Sequence, residues 1–122
     1  MNENRLADYL DHMRQATSDA RAFVQGMALV DFRQDRRTQQ AVIMSLIIVG
    51  EAATRVMEGY PAFAQAHPEV PWRSMRGMRN RIAHGYFDIN LDVVWETVQT
   101  ALPQLLQQLS ALHPPADDEA QR

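Results

Sequence analysis

The feature that most constrains the fold is an apolar run in the first half of the chain. From about Asp35 to Met57 the sequence has a helical pattern, and its centre, Ala41–Ala53, is apolar on nearly every side. A helix without a polar face has to be buried, either in a bundle core or against another chain. The flanking segments supply the cover. Leu6, Tyr9, Leu10, Met13, Ala16, Ala20, Phe23, Val24 and Met27 recur at helical spacing before the run. Leu91, Val94, Trp95, Val98, Ala101, Leu102, Leu105, Leu106, Leu109 and Leu112 do the same near the other end. No strand-like alternation and no repeat interrupts these patterns. The expectation is an all-α, up-and-down bundle of four to five helices, forming a single domain over residues 1–112 with a polar, acidic, disordered tail over 113–122.

The boundaries follow from local chemistry. Gly26 and a Val30-Asp31-Phe32 turn separate the first long helix from the second, with Asp31 or Asp35 as N-cap. Gly59-Tyr60-Pro61 breaks the second, and a short helix from Pro61 to His67 ends at His67-Pro68. Pro71 then opens another helix that Trp72 anchors to the bundle. Asn90 caps the last helix, which Pro103 is expected to kink, or else to leave a carbonyl unpaired about one turn earlier. His12 and His67 read as surface residues.

Composition excludes several classes of function. With 122 residues there is room for one domain. The chain has 0 Cys, which removes disulfides and thiolate metal sites. No apolar run follows basic residues at the N-terminus, and the longest apolar stretch, Ala41–Val49, is broken by Ser45, so neither a signal peptide nor a membrane span is expected. These features point to a soluble, cytoplasmic protein. The net charge is −3, so affinity for nucleic acid has to come from a local cluster of cations.

One segment has that cluster. No acidic residue lies between Glu69 and Asp88, whereas Arg73, Arg76, Arg79 and Arg81 all do, together with Asn80, His84 and Tyr86. Histidine takes and gives a proton near neutral pH. Arginine offers a fixed charge and a planar fork of donors suited to phosphate oxygens. The two together, without an acidic cluster or cysteines to hold a metal, fit metal-independent cleavage of RNA, which carries its own 2′-hydroxyl nucleophile. In that chemistry a histidine moves the proton, one arginine balances the developing charge, and other arginines of the segment seat the RNA backbone. No cofactor is called for.

Helical geometry complicates the pairing. Five positions place Arg79 and His84 about 140° apart on a regular helix, whereas Arg73, Asn80 and His84 share a narrow sector flanked by Arg76 and Arg81. Either the chain bends near His84, where Gly85 is suited to a left-handed cap, or a second copy completes the site. The preferred expectation is a site at or beside a homodimer interface. Glu51, at the end of the apolar run, is costly unless paired and is expected to be a buried acceptor for an arginine or a backbone amide; its functional reading is that it orients an arginine of the helix opened by Pro71. Gly77 within that helix is expected to permit close helix packing or ligand approach. Arg33, Arg36 and Arg37 would extend an RNA path.

Arg79, four intervening residues, His84, one residue and Tyr86 resemble the motif of the HepT-like toxins, a branch of the HEPN superfamily of small helical ribonucleases. The segments Ile48–Ala53, Pro71–Asn80, Asp88–Asn90 and Val94–Val98 are similar to the family in order and spacing, and the resemblance spans roughly Arg5 to Leu109. It implies a homodimeric RNase toxin, neutralised by a cognate nucleotidyltransferase antitoxin that adenylylates the motif tyrosine. By position, Arg79 and His84 become the catalytic pair, Asn80 a supporting residue and Tyr86 the modification target. Two other classes remain open: a non-catalytic dimeric subunit that binds a nucleotide or a nucleotidyltransferase, and a purely structural dimerisation bundle.

Overall fold

A computed structural model describes residues 5–114. They form α1 (Leu6–Phe23), α2 (Leu29–Arg33), α3 (Arg36–Gly59), α4 (Pro61–Ala66), α5 (Trp72–His84), a 3-10 turn (Tyr86–Asp88), α6 (Leu91–Glu96), a π-turn (Thr97–Ala101) and α7 (Leu102–Ser110). The described residues contain no strand, so the architecture is an all-α bundle. The tail expected over 113–122 lies, from 115 on, outside the described residues.

The central helix is α3, with α1 on one side and α5 on another, while α7 closes over α1. Most of the stripe expected along α1 is buried, from Leu6 through Leu10, Met13, Ala16 and Ala20 to Val24, but Phe23 near its end is exposed. Asp35 caps α3: its carboxylate accepts the Thr38 N–H at 3.0 Å and the Thr38 hydroxyl at 2.8 Å. Asp31 instead accepts the Ala28 N–H at 2.8 Å, so the expected Val30–Phe32 turn is a short helix with its own closure. By length and composition α3 could cross a membrane, contrary to the expectation that no stretch would, but more than half of its apolar window is buried in the bundle. Its burial is also incomplete. Val42, Leu46, Val49 and Ala53 face the core, but Met44 and Ile48 are exposed, so this helix that is apolar all round leaves one apolar face open.

Three connections set the position of α5. Tyr60 breaks α3 and Pro61 starts α4, as the residue types require. Trp72 is 6% exposed and donates its indole N–H to the His67 carbonyl at 3.1 Å, which fixes the start of α5. His67 is more enclosed than a surface residue, with its ring 4.6 Å from that of Phe63 and Nδ1 3.2 Å from the Glu69 carboxylate.

Asn90 caps α6 by accepting the N–H groups of Asp92 and Val93 at 3.0 and 3.2 Å. Pro103 has no N–H for the carbonyl four residues before it. The ladder answers with the π-turn, in which the Leu102 N–H reaches back to the Thr97 carbonyl and α6 runs on into α7. Arg14 ties down the far end, donating to the carbonyls of Leu109 at 3.0 Å and Leu112 at 2.8 Å.

Candidate active site

The α3–α5 crossing builds the site, and Gly50 makes the crossing possible. A Cβ at Gly50 would lie 2.4 Å from the Arg79 Cβ and 2.7 Å from the Met75 carbonyl oxygen. Only glycine lets the helices approach this closely. The close helix packing anticipated at Gly77 therefore occurs at Gly50. A methyl at Gly77 would meet only the Arg81 guanidinium, at 3.3 Å. The signal was present in the sequence, a glycine inside a run of buried apolar residues.

At the crossing Arg79 faces α3. Its Nη1 donates to Glu51 Oε1 at 2.6 Å and its Nη2 to the Thr54 hydroxyl at 3.4 Å, and that hydroxyl in turn donates to the Gly50 carbonyl at 2.8 Å. Nε of Arg79 is buried without an acceptor. A guanidinium has five N–H donors, so each terminal nitrogen keeps one N–H for an incoming anion. The second oxygen of Glu51 accepts Arg55 Nε at 3.0 Å. This hydrogen bond, with the charge behind it, raises the Arg55 pKa above the usual arginine value. Glu51 is thus the arginine acceptor anticipated, but it is not buried. Its side chain is 45% exposed, against 24% for Arg79.

His84 is the last residue of α5 and lies on its exposed side. The helix stays regular to its end, the Gly85 N–H donating to the Arg81 carbonyl at 2.9 Å. The chain does not bend to bring His84 round to Arg79. Gly85 has φ −120°, so the left-handed cap expected there is absent. The chain passes from α5 through Gly85 into the 3-10 turn, where the Asp88 N–H donates to the Gly85 carbonyl at 2.9 Å. Gly26, with φ 81°, takes the left-handed conformation instead.

Arg73, Asn80 and His84 form an exposed stripe on α5, with Arg76 half-buried and Arg81 exposed beside it. Among the described residues none of these arginines has a carboxylate partner within salt-bridge distance. Arg73 and Arg76 line an open groove with Met57, Pro61 and Trp72, whereas Arg81 lines a separate cavity with Ile82, Ile89 and Val93. Neither cavity is lined by Arg79 or His84. Tyr86 is 51% exposed. Arg33 does not extend the cationic path, because it makes two hydrogen bonds to Asp92, at 2.9 and 2.6 Å, that tie α2 to α6. No group of three or more His, Cys, Asp or Glu side chains able to hold a metal occurs among the described residues.

The fold and site define a helical bundle presenting one cationic helix, with a clamped arginine, an open histidine and no acid paired to the stripe between them. Comparison with known proteins gives that class its family. Residues 13–112 match the family described as "Ribonuclease HepT-like", and the chain belongs to it. It is 38% identical to the "Probable ribonuclease HepT" of Thermococcus cleftensis over 98 residues, 80% of this chain and 86% of that one. Two relatives named "Putative RNase" are each 33% identical. One, from Methanocaldococcus jannaschii, aligns over 88% of this chain and 83% of its own length; the other, from Caldanaerobacter subterraneus subsp. tengcongensis, over 85% and 90%. No solved structure gives a significant match.

Proposed function

We propose that this ribonuclease-family protein is the toxin of a toxin–antitoxin pair, a cytoplasmic, metal-independent endoribonuclease that acts through Arg79 and His84. The observation that carries the reading is the division of labour on α5. Arg79 is clamped at the helix crossing with N–H groups to spare, and His84 stands open on the cationic stripe. In the proposed reaction the RNA 2′-hydroxyl attacks the adjacent phosphorus and the P–O5′ bond breaks. His84 moves the proton toward the departing 5′-oxygen, and Arg79 balances the charge that builds on the phosphorane. Asn80 supports His84, Glu51 holds Arg79, and Arg73, Arg76 and Arg81 seat the flanking phosphates.

Because α5 is straight through His84, we place the complete site at a homodimer interface, where a second copy brings its residues alongside. The α3 face that exposes Met44 and Ile48 leads onto Glu51 and is apolar enough to take that copy. Tyr86 is accessible to a nucleotidyltransferase antitoxin, and adenylylation there would add bulk and negative charge next to the arginines that RNA needs.

The test is to incubate total RNA with the purified protein in EDTA, wild type beside His84→Ala. Wild type is expected to cut and leave 2′,3′-cyclic phosphate ends, and the variant to lose about 10²–10⁴-fold in rate. Ends bearing 5′-phosphate, or loss of cleavage with chelator, would sink the mechanism. If neither protein cuts and Tyr86 is unmodified by mass spectrometry, the chain is a binding subunit.

A further inference from the structure

The turn after α5 puts two aromatic rings where the fold gains nothing from them. Phe87 is 96% exposed and Tyr86 51%. Their rings meet edge to face, with centroids 5.8 Å apart and planes at 79°. A Phe this open leaves nearly its whole apolar surface in water. The turn that carries it is nonetheless well held, closed by the 2.9 Å hydrogen bonds from the Gly85 N–H to Arg81 and from the Asp88 N–H to Gly85. The backbone that carries the rings is therefore held just beyond His84. Exposed aromatic faces just beyond a helix whose exposed arginines have no carboxylate partner among the described residues suit single-stranded nucleic acid, because every base has a π-face to stack and the cations hold the backbone.

We propose that Phe87, braced by Tyr86, is a stacking platform for one nucleobase of single-stranded RNA, next to the nucleotide whose phosphate lies at His84. This rests on the ribonuclease reading and adds a positioning role to it. The platform favours unpaired RNA, since bases in a duplex are already stacked on one another. RNA is the chosen occupant because the exposed arginines of α5, the helix that leads into the rings, have no carboxylate partner among the described residues, whereas a protein partner would call only for the apolar surface.

The probe is a single-stranded RNA oligonucleotide of mixed sequence containing 2-aminopurine, bound to His84→Ala protein so that the strand stays intact. The base fluorescence is expected to be quenched on binding. Adding Phe87→Ala should abolish the quenching and weaken binding about tenfold or more, whereas Phe87→Trp keeps both. Duplex RNA of the same sequence is expected to bind equally with and without the ring. Equal quenching and affinity in Phe87→Ala would overturn the platform. So would unchanged RNA affinity accompanied by a loss of self-association in sedimentation velocity, which would assign the ring to a protein interface. Binding is read apart from cleavage. Quenching without cleavage by the protein that keeps His84 would overturn the ribonuclease reading and leave the platform standing, and cleavage without quenching would do the reverse. Absence of any RNA binding overturns both.

Discussion

Glu51 holds two arginines at once, Arg55 one turn along α3 and Arg79 across the helix crossing. Its role is to stop a flexible cation from wandering: without it Arg79 keeps only the long contact to the Thr54 hydroxyl. The pair is partly exposed, so solvent screens it, and Glu51→Ala is expected to cost no more than about 1 kcal/mol in urea unfolding. Activity is expected to suffer far more, with kcat falling about tenfold to a hundredfold because the guanidinium loses its aim. Glu51→Gln keeps an acceptor and should retain much of the rate. Equal damage from both variants would mean that the negative charge matters and the positioning does not. That a carboxylate ending an apolar run needs a partner was readable from the sequence. Which arginine it takes was not, because Arg79 comes from a helix whose rotation no local pattern sets.

At the level of elements, the α3–α5 crossing depends on a missing methyl. Gly50→Ala would drive a Cβ into the Arg79 side chain and the Met75 carbonyl, and neither can retreat while both helices stay in place. The expected cost is about 1–3 kcal/mol, measured by urea denaturation, together with loss of the Arg79 clamp. The start of α3 depends on pH. The backbone and side-chain hydrogen bonds from Thr38 hold the Asp35 carboxyl below its usual range, and Arg33 does the same for Asp92. Carboxyls whose folded pKa is depressed stabilise the fold above their unfolded pKa, about 4, and lose that contribution as pH falls through the folded value. The melting temperature is therefore expected to be level near neutrality and to fall below about pH 4. Asp35→Asn should have a shallower fall, and an unchanged acid slope in that variant would discount the cap. The caps Asp35 and Asn90 and the break at Tyr60-Pro61 were legible because each is a contact within a few residues. The π-turn was legible only as a defect at Pro103, since how a helix absorbs a missing N–H depends on what the next turn packs against.

For the molecule as a whole, the question is what covers the open face of α3. Introducing a charge there, as in Ile48→Asp or Met44→Asp, is expected to convert a dimer to a monomer by sedimentation velocity. Cleavage should be lost while the helical circular dichroism stays unchanged. A variant that remains dimeric, or a monomer that still cuts, would move the site back within one chain. The sequence by itself determined the helical class, the order of the long helices and most of their ends, and which helix is cationic. Those follow from period, caps and prolines, which act over a few residues. Only the tertiary structure decided that Gly50 and not Gly77 is the close contact, that Arg79 turns inward while His84 stays out, and that Phe87 stands in solvent. These depend on how one helix is rotated and seated against another, and that is set by side chains packing across the core from positions far apart in the chain.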